Sequence, residues 1–266
     1  MKKALLYLLL AFGISIAVLM LGGALMGVVA GFIDGYNENH YGATDPKDLM
    51  TYGMYGIFVV LCLIIHAVFR RLKFASYTWG CVPQSLRWRV VLLMLPVMGG
   101  MALAYALMYN PLLPADGTML TVSDEGIREY YLWMKSNPWL AIPLVALIEA
   151  TCDLVIYGGV LRELLEWKHR PMIIVTIYAV VMAAFGALNS PILIIPAFLV
   201  AYVEAWVYEY SRSIIPVVIG DIFFWIVYIL LIGTAIPWWG VIVAIALVAP
   251  CIYFILKALE PYKPID

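Results

Sequence analysis

Six side chains that can do polar chemistry stand within otherwise apolar runs: His66, Glu149, Asp153, Asn189, Glu204 and Asp221. Glu149 and Asp153 are four residues apart, so a helix carries them on one face, one turn from each other. Paired carboxyls can divide the work of a general acid and a general base, or share a proton. An asparagine exchanges no proton but can donate a hydrogen bond to an oxyanion. The helix rise of about 1.5 Å per residue sets depth. Counting back from Leu161 and forward from Ser213 puts Asp153 and Asp221 both roughly 12 Å below one surface. Glu149 lies a turn deeper. Glu204 is read nearer that surface, reaching water or Arg212, and is given a structural role. His66 lies about a turn from Arg70 and Arg71 and is read as snorkelling or capping there. Asn189 fits poorly, because a straight helix places it near the opposite face.

The elements that must hold these groups are apolar to a degree that decides their solvent. The chain is 65% hydrophobic and 12% charged, with a mean hydropathy of +0.97. A water-soluble domain is nearer half apolar and a quarter charged. The expectation is therefore an all-α, polytopic integral membrane protein. Eight segments approach the roughly 20 apolar residues that a spanning helix needs: 4–32, 51–69, 90–109, 138–161, 172–188, 192–209, 214–233 and 239–257. Alternating the loops between two sides leaves 13 of the 16 Lys and Arg residues on the side that holds both ends of the chain. By the positive-inside rule, both termini are then cytoplasmic. Between the third and fourth segments, SDEGIREYYLWMKSNPW mixes charge with aromatics, as an interfacial helix would. A single domain covers 1–266: three helices and the outer interfacial segment over 1–137, a core over 138–233, and a last helix with its tail over 234–266.

In bilayer hydrocarbon an ionisable group costs roughly 2.5–3.5 kcal/mol on insertion scales, so such groups are usually paired or functional. A single buried acid can simply be hydrogen-bonded across helices to fix packing. Several at one depth on different helices favour a site. The four cysteines have no paired spacing and read as small packing residues. Gly23, Gly27 and Gly31 recur every fourth residue, which allows close helix approach. Packing within the bundle is the preferred reading over dimerisation. Lys2 and Lys3 flank an apolar run longer than a signal peptide's, so the first helix reads as uncleaved.

Three stretches carry a resemblance. Asp153-Leu-Val-Ile-Tyr157-Gly158-Gly159-Val-Leu161 resembles the Glu-Glu-apolar-apolar-Phe-Arg-Gly-apolar-Leu motif of the CPBP family, the CAAX-protease and bacteriocin-processing membrane peptidases. Phe185-Gly-Ala-Leu-Asn189 resembles its Phe-x-x-x-His motif. Trp206-Val-Tyr208-Glu209-Tyr-Ser-Arg212-Ser213-Ile214-Ile-Pro216 resembles its Trp-x-Tyr-Glu-x-x-Gly-Ser-Ile-x-Pro lead-in to His-x-x-x-Asn. The resemblance spans 138–233. It sets Asp153 and Leu154 where the family has two glutamates, Gly158 for its arginine, Asn189 and Asp221 for its histidines, and Trp225 for its asparagine.

The resemblance implies a CPBP-like intramembrane endopeptidase fold with a divergent centre. Its site would be a cavity open to the cytoplasmic side and lined by Glu149, Asp153, Asn189 and Asp221. Asp153 would be the base, with Asn189 and Asp221 as polarising groups. Because the activating Glu and both imidazoles are replaced, no endopeptidase activity is expected unless Asp153 and Asp221 share a proton. The alternatives are a non-enzymatic scaffold or immunity-type binding protein and, third, a proton- or cation-coupled transporter. The expected partners are the lipid bilayer and a membrane peptide or lipidated protein. No nucleic acid and no cofactor are expected, while a divalent metal and the oligomeric state stay open. The Lys-Lys start and compact loops fit a bacterial inner membrane.

Overall fold

The computed structural model describes residues 2–37, 46–72, 79–110, 132–167, 171–189, 191 and 194–262, and among them it has helices and no strand. The helices are α1 (Lys2–Asn37), α2 (Pro46–Arg71), α3 (Gln84–Tyr109) and α4 (Pro138–Val155), then α5 (Arg162–Trp167), α6 (Pro171–Asn189), α7 (Ile194–Ser211), α8 (Ile215–Leu231) and α9 (Gly240–Leu259). A π-helical turn, Ile156–Leu161, joins α4 to α5. Each of the eight apolar segments is mostly helix among the described residues. Among the described residues, four helices are long and apolar enough to cross a membrane, namely Lys3–Val29, Gln84–Met108, Pro138–Leu165 and Gly240–Leu259, and Pro171–Ala187 and Ile215–Leu231 are shorter apolar helices. Of the expected interfacial segment, residues 132–136 are helical and residues before 132 lie outside the description.

Prolines set several helix starts. Pro138 and Pro216 occupy first-turn positions of α4 and α8, where a missing N–H costs nothing. α3 is the hub, packing on α8 and α9. Glycines let it approach closely: a Cβ on Gly99 would meet the Phe223 ring at 3.0 Å, and one on Gly220 would meet Met98 at 3.0 Å. α8 also packs on α4, α4 on α2, α2 on α1, and α6 on α7. The buried cluster runs through these contacts, with Met94, Met98, Tyr157, Val217 and Tyr228 deep within it. Leu5, Phe12, Leu21, Ile177 and Ile245 point outward. Such a surface is a liability in water and the ordinary one in lipid.

Two packing expectations are corrected. Among the described residues, no heavy atom comes within 4 Å of a Cβ added at Gly23, Gly27 or Gly31, so the described part of the bundle does not pack on them. It does pack on Gly22, with Ile57 of α2 at 2.8 Å. A four-residue period says which residues share a face but not where the face turns. All four cysteines are free; Cys62 is buried, but Cys81 and Cys152 are exposed, so packing explains only part of the set.

Candidate functional site

α4 and α8 run in opposite senses at their contact, and two rungs cross it. Asp153, in the last turn of α4, meets Asp221 of α8 within hydrogen-bonding reach. One turn away on each helix, the side chain of Trp225 bonds to Glu149. α7 adds a third acid, because Glu204 also reaches Asp221. The three are 3%, 8% and 5% exposed for Asp153, Asp221 and Glu204, so they form one dry cluster. Asp221 is its centre, touching a carboxyl on either side.

Tyrosines finish one end. Tyr157 in the π turn donates its hydroxyl proton to Glu204 Oε2 at 2.9 Å. Tyr178 of α6 donates to the Tyr157 oxygen at 3.2 Å. The π turn places Tyr157 there. It contains Gly158 and Gly159, and such turns recur where a helix must re-aim a side chain. Asp153 Oδ2 and Glu204 Oε1 are buried with no donor assigned to them. Two carboxyls can hydrogen-bond to each other only when a proton lies between their oxygens. Unshared, three like charges in a medium of low polarity would repel strongly.

Sequence reasoning brought Asp153 and Asp221 together, and the structure does so directly. Glu149 joins through Trp225, at the position of the family's asparagine. Asn189 closes α6, and its side chain lies outside the described residues. Glu204 was assigned a structural role near the surface, and this is corrected: it is inside the cluster, while Arg212 pairs with Glu209 at 2.8 Å. α7 runs to Ser211, so Glu204 is seven residues, roughly 10 Å, from its end, matching the depth of Asp153. Tyr157 was missed although it follows Asp153 by four residues, as Asp153 follows Glu149. His66 is corrected too: its Nε2 lies 3.0 Å from Thr151 Oγ1 on α4. That hydroxyl donates to the Leu147 carbonyl at 2.7 Å, so the imidazole is the donor in the pair. His66 ties α2 to α4. The two described cavities lie elsewhere, one between the end of α3 and the α8–α9 turn and one between α7 and α9. Among the described residues, no group of three or more His, Cys, Asp or Glu is placed to hold a metal ion.

The tyrosine contact can be weighed. Tyr157→Phe leaves Glu204 Oε2 buried without its donor, a loss of about 1–2 kcal/mol. A lower thermal midpoint in detergent, with Tyr178→Phe milder because that residue bonds only to Tyr157's oxygen, is the expected result.

No curated protein and no solved structure matches the chain. A family model does match, and residues 135–227 include the acids Glu149, Asp153, Glu204 and Asp221, Tyr157 with the π turn, and Trp225. That model is described as Rce1-like, type II CAAX prenyl endopeptidase Rce1-like. Residues 135–227 are therefore similar to the CPBP family, as an intramembrane protease-like segment within an integral membrane protein.

Proposed function

We propose that this protein binds a membrane-associated peptide or lipidated protein tail as a non-cleaving relative of the CPBP endopeptidases. The observation that carries this reading is the engagement of Asp221 by both Asp153 and Glu204 in a closed core. The position of a switchable imidazole in the family motif holds a carboxyl whose lone pairs are committed to two other acids. Trp225 takes the place of the motif's asparagine and spends its indole on Glu149. His66, half-buried on α2, bonds to Thr151. Losing a general base alone commonly costs a factor of about 10²–10⁴ in rate.

The test is wild type against Asp153→Asn and Asp221→Asn, purified in parallel and checked for equal folding. Negligible and equal turnover of prenylated and transmembrane peptides is expected in all three, with measurable affinity of wild type for the same peptides. A second reading is favoured by the Asp153–Asp221 contact: two acids sharing one proton can activate water as an aspartic pair. Cleavage by wild type that vanishes in both variants would establish it.

The same reading includes eight crossings with both termini cytoplasmic, supported by the mostly helical state of the eight segments and by the charge distribution. A bacterial inner membrane fits the Lys2–Lys3 start. Cysteines introduced at Asp45 or Asp116 should react with an impermeant reagent in intact cells, and one at Lys168 should not. Labelling at Lys168 would overturn the orientation and the helix count together.

A further inference from the structure

We infer that the cavity between the end of α3 and the α8–α9 turn holds the headgroup of a phospholipid that carries a primary ammonium. The cavity measures about 390 Å³, within the size range of small-ligand sites, and Asn110, Gly233, Thr234 and Ile236 are among its walls. It is separate from the acid cluster, because Leu231 lies ten residues beyond Asp221 on α8, roughly 15 Å along the axis. The inference therefore does not rest on the peptide-binding reading.

Asn110 supplies the recognising atom. Its side-chain amide donates to the Leu231 carbonyl at 2.6 Å and to the Thr234 carbonyl at 3.2 Å. Those two carbonyls fix which end of the amide is nitrogen, so the other end is an acceptor. Asn110 is 9% exposed, and its Oδ1 is buried with no donor. The donors beside it are spent, since the Thr234 N–H and hydroxyl both go to the Leu231 carbonyl, at 3.0 and 2.8 Å. A buried acceptor left in this state costs free energy until a ligand brings a donor. The carbonyl end of α8 stands at the same place, and the negative pole of a helix favours a cationic donor over a neutral one.

The rim supplies the opposite preference. A Cβ added at Gly233 would stand 2.9 Å from Lys135 Nζ, so the lysine ammonium lies over this glycine and offers a partner to an anion. An acceptor within and a cation at the rim match a ligand with an ammonium at its tip and a phosphate behind it. The surroundings point to a lipid as its source. Trp238 and Trp239, 77% and 54% exposed, follow the turn, and tryptophan is the residue type that sits at headgroup level. α9 beyond them exposes Val241, Ile242 and Ile245, an apolar surface for acyl chains.

The test is native mass spectrometry of the full chain released from detergent and titrated with phosphatidylethanolamine, phosphatidylcholine and phosphatidylglycerol of matched acyl chains. Wild type should hold phosphatidylethanolamine about tenfold more tightly than phosphatidylcholine, whose trimethylated nitrogen has no N–H, and than phosphatidylglycerol, which has no cation. Asn110→Leu should bring these ratios near one. Ala235→Phe, at an exposed position of the wall, should close the cavity and remove the preference without touching the Asn110 bonds. Lys135→Ala should weaken all three lipids alike, since each carries a phosphate. Equal retention of the three lipids by wild type, or a preference that persists in Ala235→Phe, would overturn the site. So would tighter phosphatidylethanolamine binding by Lys135→Ala, because the lysine itself would then be the donor to Asn110. Displacement of the lipid by equimolar free phosphoethanolamine would overturn the lipid as the occupant.

Discussion

Gly80→Ala should destabilise the protein by about 3 kcal/mol or more. Gly80 has φ +56°, in the left-handed region where a side chain costs about 1 kcal/mol or more. Its Cβ would also run into the carbonyl of Arg212 and stand 2.5 Å from that of Ser211. Backbone cannot step aside as the end of a flexible side chain can. The loop is tied down at the same place, since the Cys81 N–H donates to the Ser211 carbonyl at 3.0 Å, and Val82 beside it is buried. The substitution therefore pushes the start of α3 off the end of α7 and exposes Val82. Thermal unfolding in detergent reads the loss. Gly27→Ala is the control, because an added Cβ there meets nothing within 4 Å. Equal midpoints for the two variants would mean that the 79–82 loop does not dock as described.

That docking has no counterpart in the sequence pattern, and it shows where legibility ends. Apolar runs made the helices readable, because length and composition alone decide whether a segment is stable in hydrocarbon. Depth arithmetic on two of those runs brought Asp153 to Asp221. It failed for Glu204 because the end of α7 was placed two residues early, and two residues shift a group by about 3 Å along a helix. Tyr157 carried the four-residue spacing in plain view, but its ring fitted the family's phenylalanine and its hydroxyl drew no weight. The glycines of α1 show the converse limit: the repeat is visible, yet only the position of Ile57 reveals that Gly22 meets the neighbour. Contacts made by loop backbone, such as Cys81 on Ser211, follow no period at all.

Arg212→Gly should cost about 2–4 kcal/mol, although it restores the residue type of the family motif. Arg212 ends α7 with φ +51°. Its N–H donates to the Tyr208 carbonyl at 2.7 Å, the turn that a glycine usually makes after a helix. The motif Trp-x-Tyr-Glu-x-x-Gly-Ser-Ile that this stretch resembles has its glycine at this position, and here arginine holds the turn under strain. Glycine would recover about 1 kcal/mol of that strain. The guanidinium, however, is the partner of Glu209, whose side chain is 1% exposed while that of Arg212 is 30% exposed. Arg212 donates to Glu209 Oε1 at 2.8 Å, and Oε2 already lacks a donor. Removing one member of a pair with a buried partner costs about 3–5 kcal/mol, because the remaining charge has neither water nor a counterion. The burial term exceeds the strain term, and the net effect is a loss. Glu209→Gln made together with Arg212→Gly removes the stranded charge, so the double variant should recover most of the stability. Unfolding midpoints of the two single variants and the double variant close the cycle. A stabilised Arg212→Gly would mean that Glu209 reaches water and that strain, not the ion pair, dominates this helix end.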